Sequence, residues 1–356
     1  MANDFTILAG SVSQALWISR DGGDNWLQWH GHGVVKPRTA TDFEGMWLPF
    51  NLEGQVRALA VDPKNDSVIY AGDELGVLKS ADRGKTWRRL NGPFTGFDFW
   101  ALTVDPVDSN VVYAGSRPAV VFRSQDGGET WHRMGTPFPA RCTIGPTRVV
   151  SIKVDPDDNR RVWAGAEKSG LARSLDGGDT WAWAGGNVVQ PGEDVHDVQI
   201  VPGTQVRPNH GHASLERGRG SSVVVVAMSQ VTASSDQGED FHLMIKSVEL
   251  GQNYSRLITY KPDDPMTIFL TKGGLNSAYG EIYKSTDGGA SWKECPLPEK
   301  PTSGFFGIAT HPSNPNRLVA STLYGEFFVS EDAGESWVRL KQKVNEIRAL
   351  AWVPNN

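Results

Sequence analysis

Asp98 and Asp197 each flank an apolar strand at corresponding places in a repeating sequence, and Asp73, Glu193 and Glu326 fall at the same end of the repeat. Paired carboxyls are what cleavage of a glycosidic bond uses. One protonates the leaving oxygen, and the other attacks or activates water from about 5–10 Å away. Sequence does not supply that separation, so Asp98 and Asp197 are candidate catalytic residues by position alone. A second set suits an anion. Four residues before the end of each apolar strand stand Arg57, Trp100, Val150, His196, Arg256, Phe306 and Arg348. Guanidinium groups gathered at one point bind carboxylate or phosphate. In the alternative, each arginine pairs with a neighbouring loop acid and tethers the rim. Trp47, Trp100 and Tyr279 could serve as stacking platforms for a sugar. Two His-x-His pairs, His30/His32 and His210/His212, lack nearby cysteines or acids and make a poor zinc site. No metal or other cofactor is expected.

The elements that would position these residues are written in the repeat. Ser-x-Asp-x-Gly-x-Thr-Trp occurs seven times with variations, beginning at Ser19, Ser80, Ser124, Ser174, Ser234, Ser285 and Ser330. Asp accepts hydrogen bonds from backbone just downstream, and Gly takes a positive φ without steric cost, so each copy reads as a hairpin turn. Most copies follow an apolar strand ending in Val-Asp-Pro, a polar turn, and Val-Ile-Tyr-Ala-Gly or its equivalent, as in Leu59–Pro63 with Val68–Gly72. The unit is four strands: inner a, then b, c and d. Successive key aspartates lie 44 to 61 residues apart, which predicts an all-β, seven-bladed β-propeller of four-stranded blades. Phe5–Gly10 matches strand b and Ile347–Trp352 matches strand a, so one blade is expected to be shared by the two termini. In the a strands, aliphatics such as Leu59, Leu102 and Ile152 alternate with small residues such as Ala58, Ala101 and Ser151, as crowding near an axis requires.

A closed ring makes residues 1–356 a single domain. The d-to-a and b-to-c loops then share one rim with the channel mouth, where a ligand site is expected. The insertion Thr204–Ser221 falls on the opposite rim and reads as a mobile loop or a partner contact. Two cysteines, Cys142 and Cys295, exclude a disulfide framework and are expected as free thiols, which suits a cytoplasmic protein. No window of about 18 apolar residues predicts a membrane helix, and no leader precedes the first strand. A net charge of −6 argues against a general nucleic-acid surface.

The repeated phrase resembles the BNR or Asp-box repeat over nearly the whole chain. Such repeats occur in sialidases, xyloglucan-cleaving glycoside hydrolases, sortilin-type receptors and the photosystem II assembly factor. The combination of Val-Asp-Pro, Tyr-Ala-Gly and Ser-x-Asp-Gly-Gly-x-Thr-Trp looks most like the xyloglucanase and assembly-factor branch. The resemblance implies a glycosyl-hydrolase-like or sialidase-like propeller that binds carbohydrate, or a non-catalytic scaffold that binds protein. If the chain is an enzyme, it is a glycoside hydrolase. The sialidase Phe/Tyr-Arg-Ile-Pro segment is missing, and Arg57, Arg256 and Arg348 match the sialidase arginine triad by position only. Xyloglucanases set two propellers across a cleft, and sortilin-type receptors have ten blades with cysteine-rich modules. Substrate, partner and oligomeric state are not legible at this level.

Overall fold

The computed structural model describes residues 4–12, 14–29, 36–37, 55–185, 191–209, 211–251, 254–274 and 279–355. Seven antiparallel blade sheets follow one another in the described residues, with a small two-stranded ribbon, Arg141–Cys142 paired with Gly145–Pro146, between the second and third. Their inner strands are Ala58–Asp62, Asp98–Val104, Val149–Val154, Val195–Asn209, Ser255–Lys261, Phe305–Ala309 and Ile347–Pro354, and the sheets are numbered here as blades one to seven in that order. The seven-bladed propeller expected from the repeat is the observed fold. Blade seven is completed from the other end of the chain: Phe5–Ser11 pairs with Ile347–Pro354, from Phe5 opposite Pro354 to Ser11 opposite Ile347. This pairing latches the ring by giving the last strand of the chain a backbone partner in the first. Buried Arg317 clamps the junction, with its guanidinium 3.9 Å from the Phe5 ring centre and 5.2 Å from that of Trp352.

Each recurring residue has a mechanical role. In the third phrase, Ser124 Oγ donates to Asp126 Oδ1 (2.8 Å) and accepts from Gly128 N (2.8 Å). Thr130 donates to the same carboxylate from N (2.9 Å) and Oγ1 (2.6 Å), and Trp131 Nε1 donates to Gly128 O (2.9 Å). These donors, led by the Thr130 side chain, hold the Asp126 carboxyl at about 2. The motif Tyr-Ala-Gly links neighbouring blades. Tyr70 of blade one donates to Gly127 O in the phrase of blade two (2.9 Å), and Tyr113 of blade two donates to Gly177 O of blade three (2.7 Å). The glycine is there for close approach: a Cβ on Gly115 would lie 2.6 Å from Val149 Cγ1 in the next inner strand. Turn chemistry and blade contact are thus written in the same repeat.

The insertion expected as a loop is a hairpin. Strands Val195–Asn209 and His212–Ala227 stay paired from Thr204 opposite Arg217 to Asn209 opposite His212, after an irregularity at Pro202/Thr204. This arm lies against the outer wall instead of projecting from the far rim. Leu215 N donates to Gly288 O in the phrase of blade five (2.7 Å), and His212 Nε2 meets Glu249 Oε2 (3.1 Å) in the turn Ser247–Leu250 that follows the outer strand of blade four. Cys142 and Cys295 are free thiols. No described helix is long and apolar enough to cross a membrane.

Candidate functional site

The inner strands enclose an axial channel of about 410 Å³. Arg57, Trp100, Phe306 and Arg348 line it where those strands begin, and Lys153 and Gln199 line it three residues further along. Of the seven register residues, Arg57, Trp100, Val150, Phe306 and Arg348 line the channel, and His196 and Arg256 do not. Arg57 is buried, with its guanidinium 4.9 Å from the Trp100 ring centre. Arg148 and Arg117 approach the same indole at 4.5 and 5.4 Å. Across the mouth, Arg256 and Arg348 lie 3.9 and 5.0 Å from the ring of Phe306. Cations packed on aromatic faces are attracted by the ring quadrupole.

Their polar partners come from two residues back, in the segment that leads into each inner strand. Arg348 Nε donates to Glu346 Oε1 (2.7 Å), and His196 Nε2 lies 3.5 Å from Asp194 Oδ1. At the same offset, however, Arg57 donates to the neutral Gln55, and Arg256 reaches only the Tyr254 hydroxyl (3.4 Å). No described carboxylate forms an ion pair with Arg57 or Arg256. Arg57 Nε and Nη1 and Trp100 Nε1 are buried without a hydrogen-bond partner in the structure. Burial lowers the pKa of Arg57 and of Arg256 from the ordinary arginine value, as desolvation of a cation must. The mouth is thus a ring of cations in which two lack a charged partner.

The carboxylates are differently placed. Asp98 is ion-paired with Arg117, Asp73 with Arg89 (2.6 Å), and Glu326 with Arg339 (3.1 Å). Asp197 is the one carboxylate among the described channel-lining residues. Its oxygens accept from Ser151 Oγ (3.0 Å), Val198 N (2.9 Å) and Ile258 N (3.1 Å), while burial raises its pKa. Asp98 does not line the channel, so the two catalytic candidates do not share its wall. Tyr279 is exposed, also away from the channel lining, with Lys300 Nζ 5.2 Å from its ring centre. Trp47, His30, His32 and His210 lie outside the described residues.

Glu167, Asp194 and His196 bring possible ligand atoms within 4.8 Å of one another. Their charges are already matched: Arg148 pairs with Glu167, and Lys168 Nζ lies 2.8 Å from Asp194 Oδ2. His196 Nδ1 donates to Ser255 O (2.9 Å), and Nε2 lies within reach of both the Tyr254 hydroxyl (3.1 Å) and Asp194 Oδ1 (3.5 Å). Burial pushes Asp194 upward, but hydrogen bonds from His196 and Lys168 hold it well below the usual carboxylate range. This cluster reads as a rim tether. Sequence reading missed Arg148, Gln55, Tyr254 and Glu346. The signal was available: shifting the arginine register two residues back yields Gln55, Asp98, Arg148, Asp194, Tyr254, Gly304 and Glu346.

The fold and the channel define a seven-bladed β-propeller with a cationic axial mouth. The family model for "Sortilin, neurotensin receptor 3" (Sortilin-Vps10) matches residues 76–191 and 229–354, about two thirds of the sequence, and the chain belongs to that family. The match passes over the arm. No curated protein matches the chain. Among solved structures, a xyloglucanase of glycoside hydrolase family 74 from Xanthomonas campestris is similar over 99% of this chain and 53% of its own, with TM-score 0.62 and 19% identity. This chain therefore spans about half the length of that enzyme. YCF48 bound to D1 peptide is similar over 82% of this chain and 85% of its own, with TM-score 0.54 and 16% identity. YCF48 from Cyanidioschyzon merolae is similar over 83% and 89%, with TM-score 0.55 and 13% identity. At such identities the likeness is one of fold.

Proposed function

We propose that this propeller is a non-catalytic recognition protein whose channel mouth binds an anionic group carried by a peptide. Arg57 carries the reading: it is a buried cation whose partner two residues back is neutral, with two unpartnered donors beside a third on Trp100. A carboxylate or phosphate group would supply the missing charge and accept from those donors. A peptide is favoured as the carrier because one structural relative, YCF48, is bound to D1 peptide. Asp197, alone among the described channel-lining carboxylates, gives little support to a two-carboxylate mechanism.

A glycan-directed role is the second reading, favoured by the fold shared with the xyloglucanase and by the indole of Trp100 at the channel. Fluorescence anisotropy with a labelled oligoglutamate peptide separates the two. Binding should weaken with salt and be lost in Gln55→Glu, which gives Arg57 an internal counter-charge. Binding to xyloglucan oligosaccharides but not to the peptide, or equal peptide affinity in Gln55→Glu, would reverse the assignment.

A further inference from the structure

The arm closes a crevice of about 230 Å³ on the outer wall, between the arm tip, the outer strand of blade four and the phrase of blade five. Its apolar side is built by Met244, Ile245 and the half-buried Trp292. Its polar side is built by Asn209, His212 and Glu249. The walls are held in place. Leu215 N donates to Gly288 O, and a Cβ on Gly288 would fall 2.2 Å from Leu215 O, so only glycine admits the arm this closely. Trp292 Nε1 already donates to Gly289 O (3.1 Å), which leaves the ring surface as its contribution to the crevice. His212 and Glu249 lie 3.1 Å apart, with side chains 46% and 37% exposed, so a ligand can reach both.

We infer that this crevice is a second binding site, separate from the channel, for a neutral hydroxyl-bearing ring such as a single sugar residue. The chemistry selects that class. A lone carboxylate engaged by an imidazole suits neither a strong anion nor a divalent cation. One apolar wall facing a row of donors and acceptors matches the amphipathic faces of a pyranose. Aromatic surface covers the ring's C–H face, while the carboxylate, imidazole and amide meet its hydroxyls. The arm lies between the two segments matched by the family model and supplies Asn209, His212, Ala213 and Ser214 to the lining, while the remaining lining residues fall within the second matched segment.

Saturation-transfer NMR with methyl β-D-glucoside, methyl β-D-galactoside and N-acetylglucosamine tests the site, with sorbitol as the acyclic control. At least one glycoside should receive saturation on its C–H face, and sorbitol should not. Glu249→Gln and His212→Ala, both at exposed positions, should reduce affinity for that glycoside at least tenfold with unchanged melting temperature. Arg57→Ala should leave it intact. No transfer to any glycoside, equal transfer in both crevice variants, or loss in Arg57→Ala would overturn the assignment. Because the channel variant is scored separately, failure here is distinguishable from failure of the peptide reading.

Discussion

The two rims of the ring treat polar atoms in opposite ways. At the Ser-x-Asp turns, the donors and acceptors are matched within eight residues, as Ser124, Asp126, Gly128 and Thr130 illustrate. At the channel mouth, partners come from two residues back along the chain, and for Arg57 and Arg256 that partner carries no charge. A polar group satisfied locally serves architecture. A buried one left unsatisfied, as at Arg57 and also at Trp337 Nε1 of the seventh phrase, costs stability, and a ligand that accepts from it recovers that cost.

Removing the mouth cation should give the largest effect. Arg57→Ala is expected to weaken oligoglutamate binding about a hundredfold, near 2.7 kcal/mol, while thermal stability stays level or rises. A drop in stability with unchanged affinity would make Arg57 a structural residue and erase the contrast between rims.

Lys272 sharpens the point, because it is a buried cation away from the channel lining, donating to Ser247 O. Burial lowers its pKa from 10.5 to about 8. The folded state disfavours the protonated amine, so stability should fall as pH drops from about 10.5 toward 8 and then level off. Lys272→Met should remove that slope and raise stability at neutral pH by about 2 kcal/mol. Chemical denaturation across this range checks it, and peptide affinity should not change.

A phrase residue should behave in the reverse sense. Ser124→Ala strands the buried Gly128 N–H and is expected to cost about 1–2 kcal/mol, with no effect on peptide affinity. Equal stability would mean that the turn does not depend on its own hydroxyl. Acid has the smallest effect per phrase. Asp126 and Asp176 are held at about 2 in the fold, below the unfolded value near 3.9. Their contribution is present above about pH 4 and is lost as pH falls through about 2. Asp126→Asn should flatten part of that limb in an acid melt.

Much of the ring was readable because its causes are local. The Asp–Gly turns, the period-two a strands and the matching ends of the chain led to seven blades and to the pairing of Phe5–Ser11 with Ile347–Pro354. Arg256 does not line the channel, but the placing of Arg57 and Arg348 there was readable for the same reason. Three features were not. Asp98 belongs to Arg117, Arg148 crosses to Trp100 of the preceding blade, and the arm reaches Glu249 along the outer wall. Each depends on contacts between residues whose separation in sequence says nothing about distance.

The sequence by itself determined the blade and the number of blades, because turn and strand preferences act over a few neighbouring residues. Tertiary structure alone decided which carboxylates are spent on ion pairs, which arginines go without one, and where the arm comes to rest. Those outcomes depend on how close separate blades bring their side chains, and closure of the ring sets that distance.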